Sequence, residues 1–120
     1  MANPNIVGVT SIYGKTAGQA VTTSATAIVT NASGSGKVLK INSLIISNVN
    51  GTASADITAD VYKNQTTSYR LAFTIAVPND ATLVLVSKDT SIYLEENDSI
   101  RLTASSNSYL EAVCSYEEIS

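Results

Sequence analysis

The sequence contains no histidine and no tryptophan, and it has one phenylalanine beside six tyrosines. Histidine is the commonest general base and the commonest metal ligand in proteins, so its absence removes every nucleophilic triad that depends on an imidazole. Sugar-binding sites usually stack the sugar on an aromatic ring, and only tyrosine is abundant enough here to supply one. These absences argue against an enzyme, and no catalytic residue and no cofactor is predicted.

Charge is also scarce. Only 14% of the 120 residues are charged, whereas an ordinary domain has about 25%. The net charge is −3 and the seven basic residues are scattered, so the basic footprint of a nucleic-acid-binding protein is missing. No basic amphipathic segment indicates a membrane surface. A surface poor in charge is weakly protected against association, which favours an assembled state.

Cysteine occurs once, as Cys114, so no disulfide can form within the chain. It shares the strand parity of Leu110 and Ala112, which predicts a small buried hydrophobe rather than a reactive thiol. The first ten residues, MANPNIVGVT, lack the charged and apolar regions of a signal peptide. The aliphatic runs are far too short to cross a bilayer. We therefore expect a protein that is made and used without secretion.

The sequence does contain a regular alternation of apolar and polar residues. Short segments rich in Val, Ile and Thr recur with polar turns between them, and no stretch keeps a helical apolar period. The pattern predicts an all-β fold, a single antiparallel β-sandwich of eight or nine strands for which a jelly roll is one arrangement. Residues 1–15 are assigned to an N-terminal arm with a first short strand, Ile6–Val9, and residues 16–120 to the sandwich domain. The other predicted strands are Ala20–Thr30 (an edge or irregular strand), Val38–Val49, Ala55–Lys63, Tyr69–Val77, Leu83–Val86, Ile92–Leu94, Ile100–Ala104 and Leu110–Tyr116.

Several local features follow from residue type. Val38–Val49 carries large aliphatic side chains on both faces and is expected to be central. Ser11–Gly18 contains two glycines and is typical of turn and loop. Asn50-Gly51 is the strongest short hairpin signal, because a type I′ turn needs positive φ at both positions. The strand at residues 69–77 alternates as well. One face carries Tyr69, Leu71, Phe73, Ile75 and Val77, and the other carries Arg70, Ala72, Thr74 and Ala76.

Two polar segments invite a ligand-binding interpretation. The loop Asn31–Lys37 (NASGSGK) lacks the spacing of a phosphate-binding loop and is followed by Val38 where Ser or Thr is needed, so a hairpin loop is expected. The turn Glu95–Asp98 concentrates oxygen ligands, but four adjacent side chains on one hairpin cannot all converge on a calcium ion. A solvated turn is favoured, with Asn97 tolerant of left-handed backbone. No metal site is predicted.

One pair of carboxylates could suggest glycoside chemistry. Asp56 and Asp60 share a strand face, but they lie about 13 Å apart along an extended strand. That separation exceeds the distance between the two catalytic carboxylates in both retaining and inverting glycosidases. These side chains are therefore expected to keep an exposed face soluble.

Two segments late in the chain, SKDTSIYLEENDSIRLTAS (Ser87–Ser105) and LEAVCSYEEIS (Leu110–Ser120), resemble a family of small virion structural proteins of tailed bacteriophages, notably those of marine cyanobacteria. The upstream segments VLKINSLIISNVNGTASADITADVYK and LAFTIAVPNDATLVLVSKDT, and the start MANPNIVGV, are similar to the same family. The resemblance covers most of the chain and is weakest over Thr16–Gly36. Strand and turn patterns carry it, so no binding residue transfers one by one.

The resemblance implies a non-enzymatic β-sandwich in the virion, assembled in the host cytoplasm. A capsid decoration or cement protein is favoured, which would bind coat proteins such as the major capsid protein and associate with itself as a homo-oligomer. A trimer at a threefold site is the natural form of that oligomer. The alternatives are a neck, tail or fibre-associated module and a host-glycan-binding sandwich; no nucleic-acid or membrane partner is expected. The predicted partner-binding residues are Asn5, Ile6, Val7, Tyr13, Tyr62 and Tyr109.

Overall fold

The structure, a computed structural model, describes residues 4–120. In that part of the chain it consists of nine β-strands and two single-turn 3₁₀ helices, Ile6–Gly8 and Lys88–Thr90, with no α-helix. The strands are β1 (Ile12–Ala20), β2 (Thr26–Thr30), β3 (Val38–Asn48), β4 (Ala55–Lys63), β5 (Thr67–Val77), β6 (Thr82–Val86), β7 (Ile92–Leu94), β8 (Ser99–Ala104) and β9 (Leu110–Ile119).

The strands form two antiparallel sheets that enclose one core. Sheet A has the order β1-β9-β3-β6, with β7 also paired to β3, and sheet B has the order β2-β8-β4-β5. β6 and β7 pair with successive parts of β3, so they act as one strand interrupted at residues 87–91. Counted in this way, the two four-stranded sheets have the strand order of a jelly roll. The predicted all-β antiparallel sandwich is confirmed.

The core is filled by side chains at alternate strand positions of both sheets. Its main contributor is β3, whose Ile41, Leu44 and Ile46 are completely buried. β3 lies between β9 and the β6–β7 strand, which confirms the prediction of a central strand. Burying one such side chain stabilises the fold by about 1.5–3 kcal/mol. The other large aliphatic side chains with no exposed surface are Ile57, Leu94, Ile100, Leu102 and Leu110.

The N-terminal region differs from the prediction. The strand expected at Ile6–Val9 is wrong, because the Asn5 side chain accepts a hydrogen bond from the Val7 amide (3.0 Å) and begins a 3₁₀ turn. Ser11–Gly18, expected to be loop, forms most of β1 and pairs with β9. Its glycines obscured the strand, since an edge strand with an open outer face needs no large side chains there. The division after residue 15 falls inside β1, and the first three residues of the expected arm lie outside the described part.

The hairpin predicted at Asn50-Gly51 is also wrong. β3 and β4 belong to different sheets, so residues 49–54 cross the sandwich instead of reversing the chain within one sheet. The Asn50 side chain shapes this crossing by accepting hydrogen bonds from the Thr52 amide (2.8 Å) and the Ala53 amide (2.9 Å). A two-residue turn with positive φ at both positions lies instead at Asn64 and Gln65 (53° and 55°), between β4 and β5.

The alternation expected over residues 69–77 is only partly kept in the structure. Of the five side chains placed on one face, Leu71 packs against the core and Val77 is buried. β5 is an edge strand of sheet B, however, and its register with β4 shifts at two points. The shifts interrupt the alternation of faces, and Ala72 is buried. The other three side chains of that face are exposed: Tyr69 (63%), Phe73 (62%) and Ile75 (41%).

Candidate functional site: exposed interaction surfaces

Four of the six predicted contact residues lie at one end of the sandwich, which we call the N-terminal end. Asn5 precedes the first 3₁₀ helix, Ile6 and Val7 lie in it, and Tyr13 lies near the start of β1. Ile6 is 48% exposed, Val7 96% and Tyr13 60%. The C-terminal residues share this end, because the last positions of β9 pair with the start of β1. The N-terminal end thus exposes three large apolar side chains, those of Ile6, Val7 and Tyr13, beside the ion pair of Lys15 with Glu118.

The other two predicted contact residues are engaged within the chain. The Tyr62 ring lies 3.7 Å from the guanidinium carbon of Arg101, which in turn donates two hydrogen bonds of 3.0 Å to Asp60. Tyr109 is half-buried and packs against the core. These contacts give both tyrosines a structural role, in contrast to the four residues at the N-terminal end.

The acidic turn at residues 95–98 is tied to the neighbouring β4–β5 turn. Asp98 is 2% exposed, and its carboxylate accepts hydrogen bonds from Lys63 Nζ (2.6 Å), the Asn64 amide (2.9 Å) and the Glu95 amide (3.0 Å). The bond to Asp98 raises the pKa of Lys63 above its ordinary value. The expectation of a solvated turn is therefore wrong for Asp98. The left-handed backbone expected at Asn97 is confirmed by its φ of 73°.

The glycine loop at residues 31–37 does bind an anion, and that anion belongs to the same chain. The Gly34 and Gly36 amides donate hydrogen bonds of 3.0 and 3.1 Å to the two carboxylate oxygens of Glu96. Both glycines have positive φ (73° and 68°), a conformation that turns amides toward a common acceptor. The loop connects β2 in sheet B with β3 in sheet A, so the expected hairpin is wrong. Its amides fasten it to the acidic turn.

Two side chains with nucleophilic atoms are held in unreactive states. Cys114 has no exposed surface, which confirms its predicted place in the core, and burial raises the pKa of its thiol to about 11. Little thiolate can form there at neutral pH. The Lys63 amine stays protonated beside Asp98, so it is an ion-pair partner and not a nucleophile.

Two shallow grooves lie on the surface of the described chain. The larger, of about 280 Å³, crosses β1 and β9 and is lined by Gly18, Gln19, Ala20, Glu111, Ala112 and Val113. The smaller, of about 170 Å³, lies over sheet B where β4, β5 and β8 meet. No aromatic residue lines either groove, so neither offers the stacking platform that a sugar site usually has.

The exposed edge of β5 is a surface that sequence reasoning missed. Beside the three exposed apolar side chains of this strand lies Arg70, whose guanidinium carbon is 5.0 Å from the centre of the Phe73 ring. Aromatic and arginine side chains are enriched in protein interfaces. A signal for this exposure exists in the sequence, because the alternate positions hold Ala72 and Ala76, small residues that can face a core equally well.

No protein-family model matches the sequence, and no curated protein matches it. Within residues 4–120, no group of three or more potential metal ligands lies together. In the same part of the chain no helix is long and apolar enough to span a membrane. The features that this region presents are the N-terminal end, the β5 edge and the groove across β1 and β9.

Proposed function

We propose that the protein is a non-enzymatic structural component of a tailed-bacteriophage virion, a decoration or cement protein that binds the outer capsid shell and stabilises it. The observation that carries the proposal is the resemblance of Ser87–Ser105 and Leu110–Ser120 to small phage virion proteins. In the fold these segments supply β7, β8 and β9, so the resemblance concerns the scaffold. Jelly rolls occur in viral capsid proteins and also in lectins and cupins. The fold agrees with the proposal without singling it out.

We assign coat-protein binding to the N-terminal end. Its exposed apolar side chains, above all Val7 at 96% exposure, would gain about 25 cal/mol for each Å² of apolar surface buried. The side chains of Asn5, Ile6, Val7 and Tyr13 carry no charge, so burying them removes no ion from water. Self-association into a homo-oligomer, with a trimer as the natural form at a threefold site, would add several such contacts by avidity.

The test of the proposed function is the location of the protein in intact particles, by electron cryomicroscopy. A decoration protein occupies every equivalent site on the shell. Density confined to the neck, tail or fibres would move the protein to the alternative position within the same class. Absence of the chain from purified virions would overturn the proposal.

A binding experiment tests the assigned surface. Purified capsids that lack the protein are titrated with the wild-type chain and with the variant Val7→Asp, which we expect to bind about tenfold more weakly or worse. The matched control is Val49→Asp, because Val49 is 53% exposed in the β3–β4 crossing at the opposite end of the sandwich. Equal losses for both variants would contradict the assignment to the N-terminal end.

Host-glycan binding is the alternative of a different class, and its sequence basis is the set of tyrosines. It is tested by titrating the isolated protein with host surface polysaccharide at millimolar sugar. Saturable binding that is lost on Tyr13→Ala would favour it over the virion proposal, whereas no binding would dismiss it.

A further inference from the structure

The edge of β5 carries a protruding group of side chains that we call the β5 knob: Tyr69, Arg70, Phe73 and Ile75. Tyr69 and Phe73 are each more than 60% exposed, and the Arg70 guanidinium lies over the Phe73 ring. No ion pair to Arg70 is formed within the described chain, because its cross-strand neighbour Asp60 is bonded to Arg101. The knob combines large apolar area with one cation that has no carboxylate partner.

The backbone next to the knob holds this arrangement in place. Thr74 has a φ of 48°, a conformation that β-branched residues rarely adopt. The Thr74 amide donates a hydrogen bond to the Thr58 side-chain hydroxyl (3.1 Å). An unusual backbone conformation of this kind bends an edge strand and re-aims the adjoining side chains. Phe73 is thereby directed into solvent.

The groove across β1 and β9 has complementary properties. Its walls are mainly small and apolar, with Val113 45% exposed, and Glu111 is the single charged residue among those that line it. No hydrogen bond or ion pair to the Glu111 side chain is formed within residues 4–120. The groove has a volume of about 280 Å³ and is open to solvent, so one aromatic side chain can lie along it. The groove offers an apolar recess beside a carboxylate.

The knob and the groove lie on opposite sides of the molecule. β1 is one edge of sheet A, and β5 is the edge of sheet B that packs near β6, the other edge of sheet A. One molecule therefore cannot bring its own knob into its own groove. A second copy can, because the two surfaces then meet head to tail.

We propose that the β5 knob of one copy docks into the β1–β9 groove of the next copy. Phe73 enters the recess between Gly18 and Val113, and the Arg70 guanidinium faces the Glu111 carboxylate. In this contact the Arg70 guanidinium and the Glu111 carboxylate, which have no ion-pair partner within the described chain, neutralise each other. This attraction opposes the general repulsion between copies of a chain whose net charge is −3. A contact between two different surfaces of the same chain generates a ring when the rotation closes.

The area available is that of an interface anchor. Aromatic side chains bury about 150–250 Å² each, so exposures of 63% and 62% leave roughly 90–150 Å² on each of Tyr69 and Phe73. A standard interface buries about 800 Å² per partner. The two side chains supply roughly a fifth to two-fifths of that area. The edges of β5 and β1, with their exposed side chains, extend the contact.

Sedimentation equilibrium of the purified full chain tests the inference. We expect a concentration-dependent mass above the 12.5 kDa of one chain. Arg70→Glu and Glu111→Arg should each weaken association about tenfold or more, because each places like charges opposite one another. Phe73→Ala should do the same by removing the anchor. The matched controls Lys88→Glu and Asp89→Arg make the same charge changes outside both surfaces and should leave the mass unchanged.

The decisive sample is an equimolar mixture of Arg70→Glu and Glu111→Arg. In a head-to-tail contact the acidic knob of the first variant meets the basic groove of the second, and the unaltered knob of the second meets the unaltered groove of the first. The mixture should therefore be heavier than either variant alone, and it should reach the wild-type mass when the two variants can alternate, as in a ring with an even number of copies. A mixture no heavier than its components would overturn the inference, as would a wild-type mass of one chain at millimolar concentration or an oligomer that neither charge reversal weakens. If either reversal unfolds the chain, Arg70→Gln and Glu111→Gln replace it and should each weaken association.

The contact needs no capsid, and the proposed function and this inference can therefore fail separately. Self-association without virion location would retain the inference and remove the function, and a monomer on the shell would do the reverse.

Discussion

At the scale of single residues, the most consequential side chain is Asp98. A carboxylate that is almost completely buried is tolerated only when its oxygens are hydrogen-bonded and its charge is paired. Asp98 meets both conditions, with two backbone amides and the Lys63 amine as donors. It thereby joins the turn before β8 to the turn after β4.

We predict that Asp98→Ala lowers the free energy of unfolding by about 3 kcal/mol, because it leaves buried amides unpaired and removes the partner of Lys63. Asp98→Asn should cost less, since one side-chain oxygen remains to accept. The matched control is Glu95→Ala in the same turn, whose side chain is 57% exposed and whose loss should cost about 0–1 kcal/mol. Urea unfolding measures all three, and equal losses for Asp98→Ala and Glu95→Ala would contradict this role of Asp98.

Cys114 gives a second prediction at this scale. Because burial raises the pKa of its thiol to about 11 and leaves it no exposed surface, a thiol reagent should not label the native protein at pH 7. Labelling should become complete in denaturant, which serves as the positive control. Mass spectrometry follows the reaction, and rapid labelling without denaturant would show that β9 opens or that Cys114 is not in the core.

At the scale of elements, the sequence predicted strands best where one face is buried along the whole strand. The alternation of β4 and the two-sided apolar pattern of β3 both correspond to their positions inside the sheets. β1 escaped prediction because glycine and threonine fill its outer face. The exposure of three apolar side chains on β5 was missed because a register shift cannot be read from alternation. Of the candidate surfaces, only the exposure of the N-terminal end was expected.

The predictions for two loops were wrong for a different reason. Asn50-Gly51 and the loop at residues 31–37 both have the composition of hairpin turns, but each connects strands of different sheets. Which strands pair is decided by contacts between residues far apart in the chain, and local turn residues carry no information on it. The same limit hid the bond between the Gly34 amide and Glu96, two residues 62 positions apart.

The strained residue on β5 gives the prediction for elements. Holding Thr74 at a φ of 48° costs on the order of 1–3 kcal/mol, and glycine adopts that conformation freely. We expect Thr74→Gly to leave the free energy of unfolding unchanged or raise it by about 1 kcal/mol. Thr103→Gly, within β8 at a position where φ is not positive, should lower the free energy of unfolding by about 1 kcal/mol. Thermal unfolding measures both variants. If Thr74→Gly and Thr103→Gly lower the free energy of unfolding by similar amounts, Thr74 has an ordinary strand conformation.

At the scale of the whole molecule, ion pairs set how stability depends on pH. A hydrogen bond from Lys37, followed by one from Lys15, holds the pKa of Glu118 below its ordinary value. This carboxylate therefore adds stability above the unfolded-state pKa of about 4.3, and the contribution is lost as the pH falls through the folded value. The pKa values of Lys63 and Arg101 are raised by hydrogen bonds to Asp98 and Asp60, so their contributions are lost only as the pH rises through the folded values, above about 10.

We predict a melting temperature that changes little between about pH 5 and pH 9, because no histidine titrates in that range, and that falls on both sides of it. Glu118→Gln should lower the plateau and reduce the decline on the acid side. Asp89→Asn, which removes no ion pair within the described chain and lies outside the proposed contact surfaces, is the matched control and should keep the wild-type decline. If the melting temperatures of Glu118→Gln and the wild-type chain decline equally below pH 5, this account is contradicted.

The position of β9 between β1 and β3 also sets the order in which the molecule can be completed. β1 ends at Ala20, and β9, its one ladder partner within residues 4–120, begins at Leu110. A ribosome working at about 5–20 residues per second therefore makes β1 several seconds before β9 exists. During that interval β1 and β3 each have an unoccupied side where β9 will insert. Sheet A is completed when β9, the last strand to be made, inserts between β1 and β3. The nascent chain is therefore most susceptible to strand exchange with another copy just before β9 is made.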